Sequence, residues 1–272
     1  MINCARPAYN DAQVGCTVIF EVTHMNVKDK VILVTGANRG LGLALVEASL
    51  EAGAARVYAG ARNPAQLSAL VARGEGRVVP LSLDITNQRS LEAAAARATD
   101  VSVLFNNAGV LASYNLLTSS SQDIAQDFTT NVFGTLAATK AFLPALERAA
   151  AVGPGRAALV NVLSVVSLSN MPALGAYSAS KAAAFSITQA LRADLTKLGI
   201  SVHGVFAGAI DTDMVRGMDM AKTSPVDVAR AIVRGVEQGI EDIFPDPMSK
   251  GLFSTWRKDP KELERQLASM SG

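Results

Sequence analysis

The chain has 272 residues, 49% hydrophobic and 18% charged, which is ample apolar material for one α/β domain with a covered sheet. Lys and Arg number 25 against 24 Asp and Glu, with no long basic run, which excludes a surface built for nucleic acid or an anionic membrane. Cys4 and Cys16 stand in no metal-ligand spacing with His24 or His203, and no apolar run reaches the roughly 18 residues that a membrane span needs. The expected partner is a small molecule, and the expected setting is a reducing cytoplasm, without metal, nucleic acid or membrane.

Residues 1–24 show neither a helical nor a strand period, and their apolar stretch is too short and interrupted for a signal peptide. Met25 opens a run, MNVKDKVILVTG, that reads as a natural chain start. The segment before it is expected to be a poorly ordered extension or the product of an upstream start codon; the competing reading is an extra strand at 18–20. From Lys30 onward, short β-rich runs alternate with longer helical ones. Strands are predicted at 31–34, 56–59, 77–81, 101–105, 158–163 and 201–206. Helices are predicted to begin near Leu41, Pro64, Asn87, Gln122 and Ala176, with a further one over 225–238. The strands are apolar almost throughout instead of alternating, as when helices cover both faces. The fold class is therefore α/β, a doubly wound parallel sheet of Rossmann type, as one domain over 25–244. The remainder, 245–272, contains Pro245, Pro247 and Pro260 and reads as a loop followed by a short charged helix, with no chemistry assigned.

Directly after the first strand comes TGANRGLG, Thr35 to Gly42. Glycines there let the backbone turn tightly and approach a phosphate, while the N-terminus of the following helix offers N–H groups and a favourable dipole. Tyr177 and Lys181 lie one helical turn apart at the start of a long helical pattern, so their side chains share a face. A phenol, with an ordinary pKa of about 10, becomes usable near neutrality when an ammonium lowers it. Ser164 stands at the C-terminal end of a predicted strand, with Ser167 as a fallback, and Asn131 interrupts a predicted helix.

The spacing TGxxxGxG, Asp84 after the third strand, NNAG at 106–109, Asn131, and YSASK at 177–181 together resemble the short-chain dehydrogenase/reductase family, in its order and across about 29–238. The resemblance implies a catalytic set of Asn131, Ser164, Tyr177 and Lys181. Ser164 would hold the substrate oxygen, Tyr177 exchange the proton, Lys181 also bind the nicotinamide ribose, and Asn131 relay protons through water. It implies cofactor contacts from Gly36, Asn38, Arg39, Gly40, Leu41, Gly42, Arg62, Asp84, Ile85, Asn107, Ala108, Gly109, Ile210 and Thr212, besides Tyr177 and Lys181. Asp84 would meet the adenine, and Asn106 with Gly109 would flank the adenosine ribose. The position where a carboxylate would favour NAD(H) holds Ala61, followed by Arg62, and Arg39 sits within the glycine turn. NADP(H) is therefore expected, with NAD(H) as the alternative. Relatives pair through helices that here span 122–149 and 176–198, so a homodimer or homotetramer is expected.

Three intervening residues between Tyr177 and Lys181 disfavour enoyl reductases, and a short segment after Met214 disfavours sugar-nucleotide epimerases. Carbonyl or alcohol substrates remain. A non-catalytic dinucleotide sensor or scaffold on the same fold is the alternative. Substrate identity is expected to reside in 214–222, with contributions from 111–117 and 168–174. Met214, Val215, Met218 and Met220 suit an apolar compound or simple packing of a lid alike. Asp211 and Asp213 are expected to serve an Asx-type turn or a helix cap.

Overall fold

The apolar runs pair as parallel strands, and in each the alternate residues pack to opposite faces. Ile32 and Val34 enter one core while Leu33 enters the other, and Ala158 and Val160 are divided in the same way from Leu159. The computed structural model describes residues 25–270, so the expectations for residues 1–24 lie outside the described residues. These form a seven-stranded parallel sheet in the order β3-β2-β1-β4-β5-β6-β7. The strands are β1 (Val31–Thr35), β2 (Arg56–Ala61), β3 (Val78–Ser82), β4 (Val103–Asn106), β5 (Ala157–Val162), β6 (Ile200–Val205) and β7 (Asp242–Ile243). The six expected strands form within one or two residues of their predicted bounds. β7, only two residues long, left no readable pattern in the sequence.

Helices α1 (Gly40–Glu51), α2 (Ser68–Arg73) and α7 (Pro225–Glu237) cover one face. The other is covered by α3 (Gln88–Arg97), α5 (Thr135–Ala150) and α6 (Gly175–Leu195). The strand order reverses between β1 and β4, which opens a crevice at the carboxyl edge of the sheet. No helix among the described residues is long and apolar enough to cross a membrane.

Two elements differ from expectation. The single helix expected over 122–149 is α4 (Ser121–Phe128) followed by a π-helical segment, Thr129–Gly134, and then α5. Such widened turns occur often at functional sites, and Asn131 sits inside this one.

The C-terminal residues form two helices, α8 (Pro247–Lys258) and α9 (Pro260–Ser269), where a loop and one helix were expected. The prolines are the reason. Pro247 and Pro260 each occupy a first helical position, where a missing N–H costs nothing, and Asp246 and Asp259 precede them as caps. Leu252, Leu263 and Leu267 are buried, packed with Val165, Val166, Met171 and Tyr177.

Candidate active site

The glycine turn is built around one backbone requirement. Gly36 has φ +68, and a Cβ there would lie 3.0 Å from the Cα of Ala108, so the turns after β1 and β4 close on each other. Asn107 locks them. Its Nδ2 donates to the carbonyls of Thr35 and Gly36 at 2.8 and 3.2 Å, while Thr35 Oγ1 accepts from the N–H groups of Asn107 and Ala108. No side chain caps the N-terminus of α1 after Arg39, which leaves its first turn presented to the cleft.

Asn106 faces the other way, which corrects its expected place at a ribose. The side chain is buried and donates to Thr139 Oγ1 and Asn161 Oδ1, because it is the last residue of β4 and its side chain falls on the α5 face. Asp84 Oδ1 accepts from the N–H and hydroxyl of Thr86, an Asx turn that fixes the carboxylate after β3. Asn38 donates to Gln66 at 2.9 Å.

Ser164 follows β5 and caps a short turn, Val165–Ser167, with its Oγ 3.4 Å from the Ala207 carbonyl. Ser167 uses its hydroxyl to accept from the Ser164 N–H and lines no part of the cleft, so the fallback falls away as a cleft residue. Tyr177, in the first turn of α6, lines the same cleft as Ser164, whose side chain pulls the phenol's pKa down. Lys181 Nζ donates to the Val162 carbonyl at 2.9 Å and lies 5.8 Å from the centroid of the Tyr177 ring. Asn131 lies behind this surface. Its side chain pairs with both backbone groups of Val110 and donates to Ser180, whose hydroxyl in turn donates to the Tyr177 carbonyl. A Cβ on Gly109 would sit 3.1 Å from Asn131 Oδ1 and 3.6 Å from Lys181 Nζ, so the two side chains flank one point.

The electrostatics differ from the sequence expectation. Lys181 was expected to lower the Tyr177 pKa, yet burial pushes the phenol up to about 12, against a downward pull from the Ser164 hydrogen bond and with the Asp127 charge adding to the rise. Lys181 itself is held down to about 8 by burial, opposed by Asp127. Removing a phenolate from water outweighs the benefit of an ammonium that is itself buried and engaged with a carbonyl.

Beyond Ser164 the chain returns through Gly208, whose N–H donates to the buried carboxylate of Asp246 at 2.8 Å. Ile210 pairs with Thr223, and Thr212 packs over Gly40. Asp213 forms neither the Asx turn nor the cap expected of it: its carboxylate joins Arg39 at 3.3 Å and also Arg216, bridging the glycine turn to the loop before α7. Asp211 makes no cap either, because the short turn Asp213–Val215 is preceded by Thr212.

One cleft of about 1570 Å³ gathers these residues. Apart from Asn106, the cofactor contacts implied by resemblance line it, as do Ser164, Tyr177 and Lys181, while Asn131 stands just behind its wall. Sequence reasoning missed Asp127, which is buried on α4 and accepts from the N–H groups of Ala112 and Ser113 and from the Ser113 hydroxyl. A buried aspartate leaves no pattern. It also missed Met248 and Leu252 on α8, and Leu267 and Met270 on and just after α9, of which the spacing of Leu263, Leu267 and Met270 was a readable signal for the second pair.

Comparison with known proteins agrees with this architecture. The short chain dehydrogenase family model matches residues 30–222. The short chain dehydrogenase pigC of Monascus ruber is 31% identical over 207 residues, covering 71% of this chain and 67% of that protein. The 3-oxoacyl-[acyl-carrier-protein] reductase FabG of Vibrio cholerae is 31% identical over 202 residues, 72% of this chain and 79% of its own. Among solved structures, a short chain dehydrogenase from Burkholderia cenocepacia in complex with NADP superposes with TM-score 0.82 at 35% identity, covering 89% of this chain and 99% of that one. A relative from Burkholderia phymatum in complex with NAD gives 0.77 at 25% identity, over 89% and 96%. With the crevice, the tyrosine and lysine on one helix face and a family match over most of its length, this chain belongs to the short-chain dehydrogenase/reductase family of oxidoreductases.

Proposed function

We propose that the protein transfers hydride between NADP(H) and a carbonyl or alcohol substrate, with Tyr177 exchanging the proton. The observation that carries this reading is Tyr177 lining one cleft with Ser164, Lys181 and the Gly36 turn, with Lys181 Nζ 5.8 Å from its ring centroid. The turn fits a dinucleotide because its backbone is closed on Ala108 and leaves the first turn of α1 to an anion. Gly36, Asn38, Gly40, Leu41 and Gly42 would hold the phosphates. Asp84, Ile85, Asn107, Ala108 and Gly109 would flank the adenosine, with Ile210 and Thr212 closing the nicotinamide end. When bound, the nicotinamide supplies or accepts the hydride.

Preference for NADP(H) over NAD(H) is supported by Arg62 beside the cleft and by Arg39, whose exposed pair with Asp213 is worth at most about 1 kcal/mol and yields readily to a phosphate. Structural relatives bind either nucleotide.

With a pKa of about 12, Tyr177 carries its proton throughout the neutral range, which suits it to donate during reduction. Ser164 would hold the substrate oxygen beside it, and Lys181, still largely protonated near neutrality, would supply positive charge as the phenol gives up its proton. Asn131 ties Val110 to Ser180 and so fixes the first turn of α6. A homodimer or homotetramer in the cytoplasm completes the reading on the strength of the sequence.

Tyr177→Phe tests it. Turnover should fall by roughly two to four orders of magnitude, with NADPH binding unchanged in a fluorescence titration. Unchanged turnover would sink the assignment of Tyr177 as the proton donor, and failure of the wild type to bind either nucleotide would move weight to the non-catalytic alternative.

A further inference from the structure

Beyond Ser164 and Tyr177 the cleft continues into a region that proton exchange leaves unexplained. The chain has eight methionines, and six of them line this cleft: Met171 ahead of α6, Met214, Met218 and Met220 in the loop before α7, Met248 on α8 and Met270 after α9. They converge from four separate segments, so no single helical period accounts for them. Met25, by contrast, is buried ahead of β1, at the opposite edge of the sheet.

Most charges lining the cleft lie at its cofactor end, and the two in the methionine loop are carboxylates. Arg39, Glu47, Arg62 and Asp84 belong to the glycine turn, α1 and the ends of β2 and β3. Asp211 and Asp213 belong to the loop after β6, and Asp213 is neutralised by Arg39 and Arg216. Lys181 lies at the floor. The methionine-bearing segments therefore bring no cation to the cleft, and an anionic substrate there would meet carboxylates instead of a counter-charge for the water it would lose. It offers flexible, polarisable thioethers that mould to an apolar body and contact aromatic rings well.

Building on the hydride-transfer reading, we propose that the substrate is an uncharged ketone with a bulky aromatic or alicyclic body, held by this methionine wall with its oxygen at Tyr177 and Ser164. The carbonyl carbon gains a hydride from NADPH and its oxygen gains the proton from Tyr177, so a neutral secondary alcohol and NADP+ leave.

The test uses full-length protein carrying ¹³C-methyl methionine, saturated with NADP+, and titrated with 2-acetylnaphthalene or with its carboxylate analogue 6-acetyl-2-naphthoate. The cleft methyl resonances should shift with the ketone while Met25 stays fixed, and the carboxylate should bind at least roughly tenfold more weakly. In steady-state reduction, kcat/KM for 2-acetylnaphthalene should exceed that for 6-acetyl-2-naphthoate and for acetoacetyl-CoA by a similar factor. Met218→Lys, at a half-buried loop position, should raise KM for the neutral ketone and narrow the gap to the carboxylate, with NADPH affinity unchanged. Equal or tighter binding of the carboxylate, methyl shifts absent from the cleft, or a higher kcat/KM for acetoacetyl-CoA would each overturn the proposal. If methyl shifts occur but Tyr177→Phe keeps full turnover, the assignment of Tyr177 as proton donor fails instead. If another carbonyl turns over through Tyr177 without methyl shifts, only the substrate class fails.

Discussion

Arg39 is paired with Asp213, a partner it would have to leave in order to hold the 2′-phosphate of the proposed cofactor. Its guanidinium spans the mouth of the cleft to Asp213, with 71% of the side chain exposed, and a pair that open is easily exchanged. Replacing Arg39 and Arg62 together by Ala should weaken NADPH by roughly tenfold or more and leave NADH within about twofold, as fluorescence titration would read directly. An equal loss for both cofactors would mean that the arginines serve the turn and not the 2′-phosphate. Lys181 makes a different kind of prediction. Its pKa falls from 10.5 to about 8 on folding. Between those values the unfolded chain binds more protons, so stability rises with pH across that window, and the burial penalty is complete below it. Tyr177, raised to about 12, has the opposite sign, but only above its ordinary 10.0. Thermal melts of the wild type should therefore show a gain in stability from about pH 8 toward 10 that Lys181→Met lacks; parallel curves would refute a buried ammonium.

At the scale of elements, legibility tracked local chemistry. β1, the glycine turn and α1 were readable because a buried apolar run, a turn with a steric need for glycine and a helix follow one another within twenty or so residues, each enforcing the next. The break between α4 and α5 was not, since a π-helical segment changes the bond pattern without needing a special residue. Asn131 was the one local hint. The C-terminal pair was misread because two prolines suggested a loop, whereas each opens a helix behind an aspartate. Asp246 shows what that segment does. It caps α8 through the Ser249 N–H at 2.9 Å and takes the Gly208 N–H at 2.8 Å, tying the loop after β6 to the substrate side of the cleft. Asp246→Ala should cost about 2 kcal/mol in a denaturant titration and lower kcat as the Gly208 loop loosens. Asp246→Asn, which keeps an acceptor, should recover much of both. A stable, fully active Ala variant would show that loop and helix are independent.

For the whole molecule, the parallel sheet decides where chemistry occurs, because all strands deliver their carboxyl ends to one edge and the order reverses between β1 and β4. Residues far apart in the chain, such as Gly36, Ser164 and Met248, meet there for that reason alone. The meeting of the last helices with that edge depends on long-range packing, which no window of sequence contains. The same packing builds a row of rings: Phe185 meets Phe206 edge-on at 4.9 Å, and Phe206, Phe244, Phe253 and Trp256 then stack with centroids 3.9 to 6.0 Å apart. Trp256 is the only tryptophan in the chain, and it sits on α8 at the end of this row. The protein thus carries a single tryptophan, which can be excited selectively over its tyrosines, placed where the last helices dock. Its emission reports the seating of the C-terminal pair separately from the melting of the sheet, giving the molecule a built-in optical gauge of how complete its active site is.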